Sequence, residues 1–241
     1  MKITDYIALT IDRLPKGYVF TYSDFDTEVN GKEGIIKALN RMAASGRISK
    51  LSKGKFYKPE TTPFGILQPN QYQIVKDLLE TDGKVIGYLT GHSIYNQLGL
   101  TTQIGNTIQI GKNEVRPAFT REHYAISFVR QKNTITKENI PLLQLLDSIR
   151  FIKKIPGTTI TSAFKRLLAI IKDFEKKDMK TLVRLALKYP PSTRALLGAI
   201  LEETGNINVT EPLRKAQNPI TVYKIAGVSQ LTPVAEKWNI K

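Results

Sequence analysis

The segment 31–58, "GKEGIIKALNRMAASGRISKLSKGKFYK", narrows the possible folds more than any other part of the chain. At about 100° per residue, Ile35, Leu39 and Met42 form one stripe, with Ala38 and Ala43 on its flanks. Lys37, Asn40, Arg41 and Ala44 fall on the opposite face. Gly46 stops this helix, and a hairpin turning at Gly54 follows at once, carrying Arg47, Lys50, Lys53, Lys55 and Lys58. Upstream, "TDYIALTIDRL" spaces Tyr6, Ile7, Thr10, Ile11 and Leu14 as a helix, with Thr4 as its N-cap. "PKG" breaks it, "YVFT" is β-prone, and Thr21 or Ser23 caps a short helix predicted over 22–28, before a turn at 30–32. Helix, strand, helix, turn, helix, hairpin is the order of a winged helix-turn-helix, predicted over residues 1–60.

The rest of the chain changes character twice. Residues 61–135 are mixed: a connector at "TTPFGILQP", a helix over "NQYQIVKDLLETDG" and a strand at "KVIGYLT". A short helix at "GHSIYNQLG", ended by Gly99, and a strand at "EHYAISFVR" belong to the same segment. "TTQI-GN-TIQI" predicts a two-residue hairpin turning at Gly105-Asn106. Residues 136–241 read as amphipathic helices, the first carrying Leu142, Leu145, Leu146, Ile149 and Ile152, with one or two short strands in the tail. The expected class is therefore α+β and helix-rich: an N-terminal winged helix-turn-helix, a mixed α/β segment and a helical C-terminal part.

Charge is the compositional outlier. The chain holds 36 Lys and Arg against 21 Asp and Glu, a net charge of +15. Such an excess favours a polyanionic partner, nucleic acid or an anionic membrane surface, and its placement decides which. Residues 28–58 hold eight cations against Glu28 and Glu33, and residues 136–241 hold 18 against nine acids. No apolar run approaches the roughly 18–20 residues of a membrane span, so a membrane is not an expected partner. Asp5 and Asp12 inside the first apolar pattern argue against a signal peptide, and the absence of cysteine fits the cytoplasm.

The face opposite Ile35, Leu39 and Met42 suits a major groove. Arg and Lys match guanine, Asn matches adenine, and small residues avoid base edges. Lys37, Asn40 and Arg41 are the candidate base readers; Lys32, Arg47, Lys50, Lys53 and Lys55 are the candidate phosphate contacts. Either feature alone also fits a solvated helix face or a charged hairpin edge. Adjacent and in this order, they point to double-stranded DNA.

The strings "GYVFTYSDF", "KEGIIKALNRMAASGRISKLSKGKFYKP", "FGILQPNQYQIVKDLL", "GYLTGHSIYNQLGLTTQI" and "LLQLLDSIRFIKKIP" resemble the AbiEi-like antitoxin and transcriptional regulator family of type IV toxin–antitoxin and abortive-infection (phage-defence) systems. The resemblance covers residues 1 to about 155. It implies an N-terminal winged helix on the operon's promoter, and an antitoxin or effector domain over 61–241. That domain would oppose a nucleotidyltransferase-like toxin from the neighbouring gene without a tight complex. No C-terminal residue of the family's antitoxin activity can be matched. A free-standing regulator, a protein-binding inhibitor and an RNA-binding module using the basic C-terminal helices stay open as alternatives.

No enzyme chemistry is expected. His92 and His123 are far apart and lack a second ligand at helix or hairpin spacing, so no metal or other cofactor is expected. There is no phosphate-binding glycine loop, and Ser93 lacks a nucleophile elbow. Glu202-Glu203 and the pair Asp173 and Glu175 read as solvated helix faces, and Tyr88, Tyr95 and Tyr124 as core or rim packing.

Overall fold

The structure, a computed structural model, describes residues 2–25 and 31–241. It is a mixed α+β fold, rich in helix, with several small sheets. Backbone contacts divide it into two compact units, Met1–Asp77 with Arg121–His123, and Leu78–Thr120 with Tyr124–Lys241.

In the first unit, α1 (Ile3–Arg13) buries Ile7 and Ile11. Thr4 lies inside this helix and is not its cap. Lys2 holds the N-cap position, its carbonyl accepting from the N–H groups of Asp5 and Tyr6 at 3.0 and 3.2 Å, so the helix starts earlier than expected. β1 (Val19–Thr21) leads into a 3-10 turn over Tyr22–Phe25. The Thr21 N–H donates to Asp24 Oδ2 at 2.6 Å, as a helix-start side chain does when it reaches back. The later part of the helix expected over 22–28, and Asn30 of the expected turn, lie outside the described residues.

Next come α2 (Lys32–Ala44), β2 (Ser49–Ser52) and β3 (Lys55–Tyr57). The three strands form an antiparallel sheet in the order β1-β3-β2, and Gly54 at the β2–β3 turn has φ +76°. That conformation is nearly free for glycine and strained for other residues. The core gathers Ile7, Ile11, Phe20, Phe25, Ile35, Leu39, Ile48 and Phe56, with Phe20 edge-on to Phe25 at 5.4 Å. β4 (Glu60–Thr62) and β5 (Gly65–Leu67) make a small hairpin where a plain connector was expected, and α3 (Gln71–Leu79) follows.

The second unit opens with β6 (Glu80–Thr81), β7 (Lys84–Val85), β8 (Gly87–Thr90) and α4 (His92–Tyr95). The single strand expected over 84–90 is split at Ile86, whose N–H turns to the Leu79 carbonyl at 2.8 Å. β9 (Thr107–Lys112), β10 (Phe119–Arg121) and β11 (Tyr124–Arg130) join β8 in a sheet ordered β10-β11-β9-β8. The hairpin expected at Gly105-Asn106 does not form. β9 has both edges taken, antiparallel by β8 and parallel by β11. Residues 101–104 stay outside the sheet: Ile104 is 87% exposed, and the Thr101 hydroxyl donates to the Pro156 carbonyl at 2.6 Å.

Helices α5 (Ile140–Arg150), α6 (Ile160–Lys172), α7 (Lys176–Ala186) and α8 (Pro191–Glu203) supply most of the second core. Thr159 caps α6 by accepting from the Ser162 N–H at 3.1 Å. α8 is buried almost all round from Ala195 to Glu202, as a central helix must be. α9 (Glu211–Lys215) and α10 (Val234–Lys237) close the chain. The tail strands reduce to one bridge, Tyr223 to Ile240, because Ile225, Val228, Ala235 and Trp238 are buried at spacings that do not alternate.

Candidate nucleic-acid interface

The face of α2 divides as its period requires. Ile35, Ala38, Leu39 and Met42 are buried; Lys37, Asn40, Arg41 and Ala44 are exposed. Lys37 and Arg41 stand one turn apart, and neither joins an ion pair among the described residues. Like charges at this spacing destabilise an isolated helix by about 0.2–0.5 kcal/mol. Glu33, one turn before Lys37 on the same helix, offsets part of that repulsion. Lys32, at the first position of α2, is exposed and holds its ammonium 4.7 Å from the Tyr22 ring centre.

The hairpin cations separate into two groups. Lys50 and Lys53 are exposed, on β2 and at the tip, with no ion pair among the described residues. The other three are engaged inside the unit. Lys58 Nζ donates to the carbonyls of Asp12 and Leu14 at 2.9 and 2.8 Å, closing the C-terminal end of α1. Arg47 pairs with Asp12 at 2.9 Å while remaining exposed. Lys55, expected on phosphates, has a side chain only 17% exposed and forms an ion pair with Asp77. The Asp77 carboxylate also receives both ends of the Arg121 guanidinium at 2.7 and 3.1 Å. Burial pushes the Asp77 pKa up, but the hydrogen bonds and charges of Arg121 and Lys55 outweigh it and hold the group below its ordinary value. Lys55 therefore serves the fold of the unit.

Sequence reasoning missed the most elaborate polar cluster, which lies in the second unit. Asp147 on α5 is 1% exposed. Its carboxylate accepts hydrogen bonds from the hydroxyls of Tyr88 and Thr90, both at 2.8 Å, and Tyr189 at 2.9 Å. Gln131 Nε2 donates to both tyrosine oxygens at 2.8 Å, and Gln131 Oε1 accepts from the backbone and side chain of Asn133. Burial raises the Asp147 pKa against the pull of its three hydroxyl donors and of the Arg150 charge. Burial and the Asp147 charge push the hydroxyls of Tyr88 and Tyr189 far above the usual phenol range. The visible signal was an acid among leucines in "PLLQLLDSIR". Tyr88 and Tyr95, expected in core or rim packing, are buried.

The remaining candidates for chemistry are in structural contacts. Glu202 pairs with Arg214, Glu203 accepts from the Thr232 hydroxyl, and Asp173 sits at the C-terminal end of α6. His92 lies against the Tyr95 ring at 5.8 Å. Among the described residues, no three His, Asp or Glu side chains gather as a metal site would need.

Residues 6–116 match a family of unknown function, DUF6088. The structure is similar to the crystal structure of RV2827C protein from Mycobacterium tuberculosis, with 14% identity and a TM-score of 0.47 over 99% of this chain and 90% of that one. No curated protein matches.

Proposed function

We propose that the first unit is a winged helix-turn-helix that binds double-stranded promoter DNA, and that the chain is the autoregulator and antitoxin of a type IV toxin–antitoxin system. The observation that carries the DNA reading is the exposed face of α2, where Lys37, Asn40 and Arg41 stand together and neither cation joins an ion pair among the described residues. The order of α1, β1, α2 and the β2–β3 hairpin supports it. In this reading α2 lies in the major groove, with Lys37, Asn40 and Arg41 on base edges, while Lys32, Arg47, Lys50 and Lys53 contact phosphates. The antitoxin role, the cytoplasmic setting and the nucleotidyltransferase-like toxin as antagonist rest on the family resemblance of residues 1 to about 155.

The test compares the duplex immediately upstream of the chain's own reading frame with a scrambled duplex of equal length, by fluorescence anisotropy at 0.15 M salt. The upstream duplex is expected to bind roughly tenfold tighter or more, and the preference is expected to vanish in the double variant Lys37→Ala, Arg41→Ala. Equal affinity of the wild type for both duplexes would sink the regulator reading. Co-expression with the adjacent toxin gene tests the second half: growth is restored, and the two proteins do not co-purify.

A further inference from the structure

The cations of the C-terminal half are not spread evenly over helix faces. In the second unit, Arg130, Lys132, Arg150, Lys188 and Arg194 line one cavity of about 650 Å³, and among the described residues no carboxylate lines it. None of the five joins an ion pair among the described residues. Arg194 is held by the neutral carbonyls of Leu187 and Ala216 at 3.2 and 2.9 Å, which orient its guanidinium without cancelling its charge. Arg150 lies over the Phe151 ring at 4.9 Å. One wall of the same cavity is apolar, formed by Leu187, Pro190 and Pro191.

A second cavity, of about 320 Å³, shares Arg150 and adds Lys153 and Lys224, again without a carboxylate among the described residues. The two cavities flank the first turn of α8, a helix of 13 residues: Pro190 and Pro191 line the larger, Ser192 and Thr193 the smaller. Thr193 is 2% exposed, and its Oγ1 has no hydrogen-bond partner among the described residues. The start of a helix favours anions; in α8, Pro191 carries no N–H and those of Thr193 and Arg194 donate to the Pro190 carbonyl at 3.0 and 3.1 Å, which leaves the N–H of Ser192 in the first turn. Seven cations and the buried Thr193 hydroxyl thus surround two cavities beside one helix start.

The geometry points to a nucleoside polyphosphate site in the second unit, with the phosphates held between Arg150 and the first turn of α8. Concavity favours a small ligand over a nucleic-acid strand, which takes an extended basic stripe. The larger cavity falls in the range of small-molecule sites, roughly 300–1,000 Å³. Its apolar wall suits the flat face of a base, and Arg recognises phosphate oxygens with paired donors. This site is separate from the DNA face proposed on α2 and goes beyond that reading.

The experiment is calorimetric titration of the full chain with ATP in EDTA buffer at 0.15 M salt. Saturable binding of one ATP per chain is expected, with adenosine too weak to detect. Arg150→Ala and Lys188→Ala each remove an exposed cation and are expected to weaken ATP about tenfold or more, the loss of one hydrogen bond to a charged group. Circular dichroism melts show whether each variant is folded. Lys37→Ala, Arg41→Ala is expected to keep full ATP affinity, and Arg150→Ala to keep promoter binding, so the two proposals fail independently. Absence of saturable ATP binding overturns the inference, as does unchanged affinity in folded Arg150→Ala and Lys188→Ala. A single-stranded oligoribonucleotide that binds tighter and is not displaced by ATP overturns it in favour of a nucleic-acid partner.

Discussion

Arg41 and Lys53 are both exposed cations of the first unit, yet they stand on different supports and are expected to fail differently. Arg41 sits on the helix face proposed to meet base edges, so Arg41→Ala is expected to cost about 1–3 kcal/mol on the cognate duplex and to relax specificity. Lys53 sits at a hairpin tip, so Lys53→Ala is expected to weaken cognate and random duplexes alike. Titrating each variant against both duplexes checks the division, and equal losses in all four titrations contradict it. Asp77 gives a prediction of another kind. Its pKa is lowered in the folded state, so between the lowered and ordinary values the unfolded chain binds more protons and stability rises with pH. The contribution is complete above the ordinary value and is lost as pH falls through the folded one. Asp77→Asn is therefore expected to be less stable than wild type near neutrality, with the gap narrowing below about pH 4; urea melts from pH 7 to pH 3 measure it. The spacing of α2 made Lys37, Asn40 and Arg41 legible as exposed. It said nothing about Lys55 or Lys58, because their partners, Asp77 and the end of α1, are distant in sequence.

At the scale of elements, legibility follows locality. The helices declared themselves by period and by stops such as Gly46, and α5, α6, α7 and α8 fall in the part of the chain, 136–241, that reads as helical. β9 was legible as a strand but its partners were not, because alternation in "TIQI" does not name them, and the local Gly-Asn signal was overruled by pairing with β8 and β11. Glycine positions show how closely the elements approach. A Cβ at Gly198 of α8 would lie 2.3 Å from the Trp238 ring, which is 3% exposed just past α10. Gly198→Ala is expected to destabilise the chain by about 1–3 kcal/mol through overpacking, despite the gain in helix propensity. The urea midpoint measures it; a change smaller than about 0.5 kcal/mol would mean that Trp238 moves aside at little cost.

For the whole molecule, the net charge of +15 was the plainest signal in the sequence and the least localised. Counting by segment found the α2–hairpin surplus, but the cavity cations come from residues 130–132, 150 and 187–194, which only the fold assembles. If four to six phosphates are contacted on the promoter, log affinity of the full chain is expected to fall against log salt with a slope of roughly −4 to −5. A slope near zero would remove the electrostatic basis of DNA binding. The buried Asp147 has a consequence of a different sort. Tyr88 and Thr90 reach it from the same face of β8, two residues apart. A one-residue slip of β8 would turn both hydroxyls away together and leave the carboxylate buried with Tyr189 alone. The cluster thus acts as a proofreader of sheet register: it does less to strengthen the correct pairing than to make the nearest wrong one intolerable.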